Sequence, residues 1–211
     1  MSPEPTARVS TLILSPHVDD EVLGCFAFLN GQTHVLYGGV EERPAIPRTT
    51  RLEELNNSSR QLGFSWTMLK NTVNDYVASA LITPMERVIN LYQPQTVLIP
   101  EPSYNQDHRA FFDAGLVATR PHDTLWMVPE VLIYEQPHSV MWPHSQQPLH
   151  NFFIPIDIKS KLSAYALYAS QVRMHRSPET VSALAALRGA QAGVSHAEAF
   201  QARRIIRQQS T

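Results

Sequence analysis

The chain has 211 residues, enough for one well-packed α/β domain and few for two. Its composition, 43% hydrophobic and 17% charged, is typical of a globular protein and argues against a disordered one. A formal net charge of −2 predicts no electrostatic attraction to nucleic acid or to an anionic membrane. The single cysteine, Cys25, excludes an internal disulfide.

The amino-terminal segment MSPEPTARVS lacks the basic and apolar regions of a signal peptide. No apolar run approaches the ~20 residues that a membrane span needs. These two features predict a cytoplasmic protein without a membrane span.

Strand and helix patterns alternate along the first 136 residues. Short apolar runs predict strands at 9–16, 33–39, 65–70, 95–102 and 130–137. Apolar residues at helical spacing predict helices at 20–31, 48–64, 79–93 and 105–121, with Pro84 in the first turn of the third. Beyond residue 136 the pattern is weaker, and it predicts a last strand at 152–158 followed by helices at 159–172, 178–191 and 197–208.

This alternation predicts an α/β fold, a Rossmann-like parallel sheet with helices on both faces. The expected strand order is 3-2-1-4-5 with one added C-terminal strand. We find no internal repeat or linker, so residues 1–211 are expected to form a single domain.

The segment LILSPHVDDEVLGC, residues 12–25, places a histidine and three acids where the first strand ends. His17 and Asp20 are three residues apart, so both side chains can reach one ion. The fourth strand would adjoin the first in this order, and the segment after it supplies His108. Two histidines and one carboxylate are the protein ligands of a catalytic zinc site, where zinc lowers the pKa of the water it binds to about 7. Asp19, which cannot share the direction of its two neighbours, is left to act as general base.

Each half of this pattern also has an ordinary interpretation. Taken alone, the acids fit a first helical turn that complements the helix dipole better than they fit a metal site, and the segment QDHR fits a helix start better than a ligand. The metal site is therefore predicted from the occurrence of both clusters after two strands that are expected to be neighbours.

The sequence also resembles a known family. SPHVDDEVLGC resembles the AHPDDE-LGCGG signature of the LmbE-like (PIG-L) zinc-dependent N-deacetylases, which remove acetyl groups from amino-sugar derivatives. RLEELNNSSRQLGF, YNQDHRAFFDAG, DIKSKLSAYALYASQ and HAEAF resemble further segments of that family in the same order along almost the whole chain.

The resemblance implies zinc at His17, Asp20 and His108 and a general base at Asp19. It also implies substrate-binding positions at Arg51, Asn105 and Glu198. Arg51 could equally be a solvated arginine at a helix start, and Glu198 could instead hold the C-terminal helix by a hydrogen bond.

The chain departs from the family at two positions. Val18 replaces the usual proline after the first histidine. Asn105 stands where some relatives have a histidine, and an amide can donate a hydrogen bond to an oxyanion but cannot transfer a proton. The proton for the leaving amine would then come from Asp19 after its first proton transfer, or from His138, His144 or His150 in the 138–150 loop.

The sequence thus predicts a zinc-dependent hydrolase that removes an N-acetyl group from a small amino sugar or a glycoconjugate, although iron can take the same ligands. Two alternatives stay open: a non-catalytic metal- or sugar-binding protein of the same fold, and an amidohydrolase acting on a non-sugar amide. Three segments without a motif, 40–50, 71–78 and 136–151, would set the specificity.

Overall fold

The computed structural model describes residues 8–122, 125–143 and 149–207, and within them seven strands form one twisted sheet. The strand order is β3-β2-β1-β4-β5-β7-β6. The first five strands pair in parallel, whereas β7 pairs antiparallel with both β5 and β6. The strands are β1 (Thr11–Ser15), β2 (Thr33–Tyr37), β3 (Ser65–Met68), β4 (Thr96–Pro100), β5 (Glu130–Tyr134), β6 (Phe152–Pro155) and β7 (Ala197–Ile205).

Helices cover both faces of this sheet. The helices are α1 (Asp20–Cys25), α2 (Arg48–Leu62), α3 (Ala78–Tyr92), α4 (Gln106–Ala118), α5 (Pro137–Met141), α6 (Ile158–Tyr165) and α7 (Pro178–Ala192). Three short 3-10 helices at Phe26–Phe28, Ala166–Gln171 and Met174–Arg176 complete the set. Helix α2 ends at Gly63, whose φ of +84° is the left-handed conformation that a helix C-terminus favours in glycine.

The alternation of side chains along β1 divides the core into two layers. Ile13 packs with buried residues of α1, α2, α6 and α7 on one face. Leu12 and Leu14 pack on the opposite face with residues of α3 and α4, including Phe111. Strands β1, β2 and β4 are buried on both faces, as expected of parallel strands between two helical layers.

The predicted α/β class and the order 3-2-1-4-5 are confirmed. The prediction of a helix at 197–208 is wrong, because residues 197–205 form β7 between β5 and β6. Alanine, glutamine and arginine in this segment favour a helix by intrinsic propensity. Ladder hydrogen bonds to two neighbouring strands, together with burial of Ala199 and Phe200, outweigh that preference.

Two smaller predictions also change. Pro84 lies inside α3 rather than in its first turn, so the helix loses one backbone hydrogen bond at that point. The helix expected at 159–172 is divided into α6 and the 3-10 segment Ala166–Gln171, with non-helical backbone at Tyr168.

Within the described ranges, no helix combines the length and the apolar character needed to cross a bilayer.

Candidate metal centre

The predicted metal ligands meet at the carboxyl ends of two neighbouring strands. Strands β1 and β4 pair in parallel, with Thr11 opposite Thr96. His17 follows the end of β1 by two residues, and Asp20 opens α1. His108 lies in the first turn of α4, shortly after β4. The adjacency of the two strands therefore brings together residues that are 91 positions apart in the chain.

One oxygen, Oδ2 of Asp20, is the centre of this group. It lies 3.3 Å from Nδ1 of His17 and 3.3 Å from Nε2 of His108. One donor atom from each of the three residues lies within 4.8 Å of the others, as a shared ion requires. Nδ1 of His108 is buried and has no hydrogen-bond partner among the described residues. Two imidazoles and one carboxylate in this arrangement fit a divalent metal such as zinc.

A second carboxylate orients the first histidine. Asp107 accepts a hydrogen bond from Nε2 of His17 at 2.9 Å, and it also accepts the backbone N–H groups of Asn74 at 2.7 Å and Tyr76 at 3.2 Å. This contact fixes the imidazole ring and directs Nδ1 towards Asp20. Carboxylate partners of this kind raise the basicity of histidine ligands.

Asp20 and Asp107 favour a positive charge at the metal-ligand group. Burial lowers the pKa of His17, but hydrogen bonds to Asp107 and Asp20 outweigh it and raise that pKa to about 9. Burial raises the pKa of Asp20, yet the charge and hydrogen bond of His108, with those of His17, hold it well below its usual range. Either an imidazolium or a metal cation would satisfy this field.

We expect Asp107→Asn to weaken metal binding about 10- to 100-fold, because the amide cannot accept all three of these hydrogen bonds. A competition titration against a chelating dye measures this change. Asp113→Asn, an exposed substitution on the same helix, is the matched control and should bind metal as the wild type does. Equal affinities for the two variants would show that Asp107 does not support the ligand.

Asp19 borders the same cavity as the ligands but is not one of them. Its φ of 112° is in the left-handed region, unusual for a residue other than glycine, and the metal-ligand group does not include it. Its carboxylate is buried, and Oδ2 lies 3.0 Å from Nη1 of Arg176. Burial raises the pKa of Asp19, and the positive charge of Arg176 opposes that rise.

The strained turn at Asp19 is held by side chains from two other elements. The backbone N–H of Asp19 donates to Glu21, and Glu21 in turn accepts the hydroxyl of Tyr168 at 2.5 Å. Nη2 of Arg51 donates to the carbonyl of Val18 at 2.6 Å. These contacts fix the direction of the Asp19 carboxylate before any substrate binds.

Arg51 and Asn105, two predicted substrate-binding residues, line the cavity at the metal ligands. Arg51 is almost fully buried rather than solvated, and it also donates to Ser170 at 3.3 Å. Asn105 is the N-cap of α4, where its side chain accepts the N–H of Asp107 at 2.8 Å. Both residues therefore stabilise the site's framework as well as bordering its cavity.

The structure places Glu198 away from the cavity. This carboxylate on β7 accepts the backbone N–H groups of Phe26 and Ala27, each at 2.9 Å, and forms a buried ion pair with Lys161 at 2.6 Å. It does not border the cavity at the metal ligands. Its contacts are those of a structural residue that joins β7 to the end of α1.

We expect Glu198→Gln to lower the free energy of unfolding by about 3–5 kcal/mol, because it leaves the buried ammonium of Lys161 unpaired. Urea denaturation followed by circular dichroism measures the loss. Glu53→Gln, an exposed change on α2, is the control and should change stability by less than about 0.5 kcal/mol. A Glu198 variant as stable as this control would contradict the structural role.

The cavity is small, about 220 Å³, and strongly polar. Each of the three segments expected to set specificity contributes to it: Arg43 from 40–50, Asn74 from 71–78 and His138 from 136–151. From the sequence, His138 is one of three loop histidines that could supply the proton for the leaving amine. In the structure its ring packs 4.8 Å from the ring of His108, and Nε2 lies 3.0 Å from the hydroxyl oxygen of Ser103.

The other histidines of that loop differ in position. His150 lies near Glu101 and Glu135, at 3.5 and 3.7 Å, and does not border the cavity. His144 lies outside the described residues.

Two arginines that border the cavity, Arg173 and Arg176, were not predicted from the sequence, because they belong to no recognised motif.

Comparisons with known proteins find the same fold in several solved structures. No protein-family model matches the chain, and no curated protein sequence matches it. Among solved structures, N,N'-diacetylchitobiose deacetylase from Pyrococcus horikoshii matches with a TM-score of 0.73 at 17% identity, covering 91% of this chain and 82% of that one. The A40926 pseudoaglycone deacetylase Dbv21 matches with a TM-score of 0.69 at 19% identity, covering 96% and 100%.

A third solved structure with this fold has a different activity. GalB, the 4-carboxy-2-hydroxymuconate hydratase from Pseudomonas putida KT2440, matches with a TM-score of 0.73 at 20% identity, covering 95% of this chain and 98% of that one. The chain therefore shares the fold of the LmbE-like (PIG-L) deacetylases, and that fold also carries a hydratase. The choice between activities depends on the residues of the site.

Proposed function

We propose that this protein is a metal-dependent N-deacetylase that hydrolyses the acetamide group of an amino sugar. The observation that carries the proposal is the convergence of His17, Asp20 and His108 on one point, with the carboxylate of Asp19 held beside them. Similarity of fold to deacetylases supports it. So does the resemblance of the segment with His17, Asp19 and Asp20 to the signature of the LmbE-like enzymes, and of the segment with His108 to a second motif of that family.

The metal would be held by His17, Asp20 and His108. A divalent ion there, of which zinc suits these ligands, would supply a Lewis acid able to polarise the acetamide carbonyl and to acidify a water. Asp107 keeps the His17 ring in the orientation that binding requires.

Asp19 would move the protons. It takes one from the attacking water, and returns it to the nitrogen of the leaving amine as the C–N bond breaks. Acetate and a free amine are the products. Asn105 and His138 border the cavity and supply N–H groups that can stabilise an oxyanion, but the amide of Asn105 cannot transfer a proton.

The direct test measures both products. The purified protein, loaded with Zn²⁺, is incubated with N-acetylglucosamine, its disaccharide and a non-sugar acetamide, and acetate and primary amine are quantified. We expect equal amounts of both from at least one acetamido sugar, and none after the metal is chelated. Bound metal without acetate release from any sugar would favour a binding protein, and release from the non-sugar amide alone would favour a different amidohydrolase.

A hydratase is a second candidate. The cavity is bordered by four arginines, which suit a substrate carrying carboxylates, and GalB shows that this fold can carry such an activity. Loss of the ultraviolet absorbance of 4-carboxy-2-hydroxymuconate, with no acetate formed from any acetamide, would favour this reading over deacetylation.

A further inference from the structure

The arginines that border the cavity come from three separate segments. Arg43 lies in the loop after β2, Arg51 in the first turn of α2, and Arg173 and Arg176 between α6 and α7. Segments far apart in the chain thus direct guanidinium groups to one space beside the metal ligands.

Among the described residues, the acids that border the same cavity neutralise these arginines only in part. They are Asp19, Asp20 and Glu41. Asp20 is already engaged by the two histidines of the metal group. Asp19 and Glu41 are then the cavity carboxylates that face four guanidinium groups, and Arg51 has a further partner in Glu54 at 4.0 Å.

The guanidinium groups are incompletely satisfied. Arg173 has its nearest carboxylate, Glu41, at 4.0 Å, the limit for an ion pair. Nε of Arg51 and Nε of Arg176 are buried without a hydrogen-bond partner among the described residues. Burial lowers the pKa of Arg173, and the positive charges of Arg176 and Arg43 lower that pKa further.

The carboxylate nearest to the outer part of this cluster, Glu41, forms a partly exposed ion pair with Arg43. Glu41 pairs with Arg43 at 2.6 Å, but the Arg43 side chain is 44% exposed. An ion pair at such a position contributes only about 0–1 kcal/mol. A carboxylate or phosphate held by two arginines forms several charge-assisted hydrogen bonds, which are stronger.

We propose that Arg43, Arg173 and Arg176 form a subsite for an anionic group, a carboxylate or a phosphate, on the substrate. The inference rests on the proposed deacetylase function and narrows its substrate to an acidic amino sugar. The anionic group lies on the Arg173 side of the cavity, and the acetamide lies at the metal ligands. Arg51, which supports the turn at Val18, contributes charge from the inner wall.

The kinetic test compares sugars that differ in charge. N-acetylglucosamine is neutral, its 6-phosphate carries a phosphate, and N-acetylmuramic acid carries a carboxylate. We expect kcat/KM for at least one of the acidic sugars to exceed that of the neutral one about tenfold or more. The preferred acidic sugar identifies which anion the subsite takes, and added salt should reduce the preference.

Variants assign the preference to the arginines. Arg176 contacts Asp19, so its replacement would disturb the base as well; Arg43→Gln and Arg173→Gln are the informative changes. Each should reduce the ratio of acidic to neutral kcat/KM about tenfold, mainly through KM. Arg203→Gln, the same change at an exposed position of β7, is the matched control and should leave the ratio as in the wild type.

A binding measurement separates this inference from the proposed function. Inorganic phosphate should raise the melting temperature of the chelator-treated wild type and of Arg203→Gln, and the rise should be lost in the double variant of Arg43 and Arg173. A phosphate effect with no acetate release from any sugar would refute the deacetylase and leave the subsite standing. Acetate release with equal kcat/KM for neutral and acidic sugars, unchanged by the variants, would refute the subsite alone.

Discussion

Asp19→Asn is expected to reduce acetate release about 10²- to 10⁴-fold, the contribution typical of a positioned general base. The amide is nearly isosteric, but it cannot accept a proton from water. The substitution leaves His17, Asp20 and His108 in place, so the variant should bind Zn²⁺ in the same stoichiometry as the wild type. Steady-state acetate assays and metal analysis of the same preparation measure both properties.

The control for this substitution is Asp113→Asn, which removes one carboxylate from an exposed position of α4. It should retain the wild-type rate. An Asp19 variant with full activity would exclude the base role. A variant that loses metal as well as activity would show that Asp19 serves the ligand group instead.

His108→Ala is expected to remove metal and activity together. His108 is buried, and its Nε2 lies 3.3 Å from the Asp20 oxygen at the centre of the ligand group. Without it, one histidine and one carboxylate remain, too few for a catalytic zinc site. Metal content after dialysis should fall to a small fraction of the wild-type value, and hydrolysis should fall below detection.

The matched control is His196→Ala, which removes an imidazole that does not border the cavity. It should retain both metal and activity. Added Zn²⁺ restoring His108→Ala to the wild-type rate at low concentration would contradict the ligand role. The two variants thus differ in their expected results. Asp19→Asn should lose activity but keep metal, whereas His108→Ala should lose both.

Much of the site's framework could be predicted because its signals are local. His17 and Asp20 follow an apolar strand directly, and the alternation of strands and helices predicts that β1 adjoins β4. That adjacency is enough to bring His108 to the same edge of the sheet. Parallel topology thus converts two short motifs into one three-dimensional group.

The arginine cluster and β7 could not be predicted, because both depend on contacts between residues that are distant in sequence. Arg173 and Arg176 lie in an irregular segment with no periodic pattern, and only the packing of that segment against the cavity gives them a role. Residues 197–205 have the composition of a helix, and their strand conformation depends on two partner strands distant in sequence. Contacts between residues distant in sequence determine both the arginine cluster and the conformation of β7. Local sequence propensity does not indicate such contacts.

The bond between Glu198 and the end of α1 has a consequence for the way the molecule opens. The amide protons of Phe26 and Ala27 are held by a carboxylate 172 and 171 residues away, on a strand enclosed by β5 and β6. Their hydrogen exchange requires the Glu198 carboxylate to release the two N–H groups, so we expect the exchange rate there to report on the contact between β7 and the 3-10 helix Phe26–Phe28. The helix that begins with Asp20 is thus secured by the far end of the described chain.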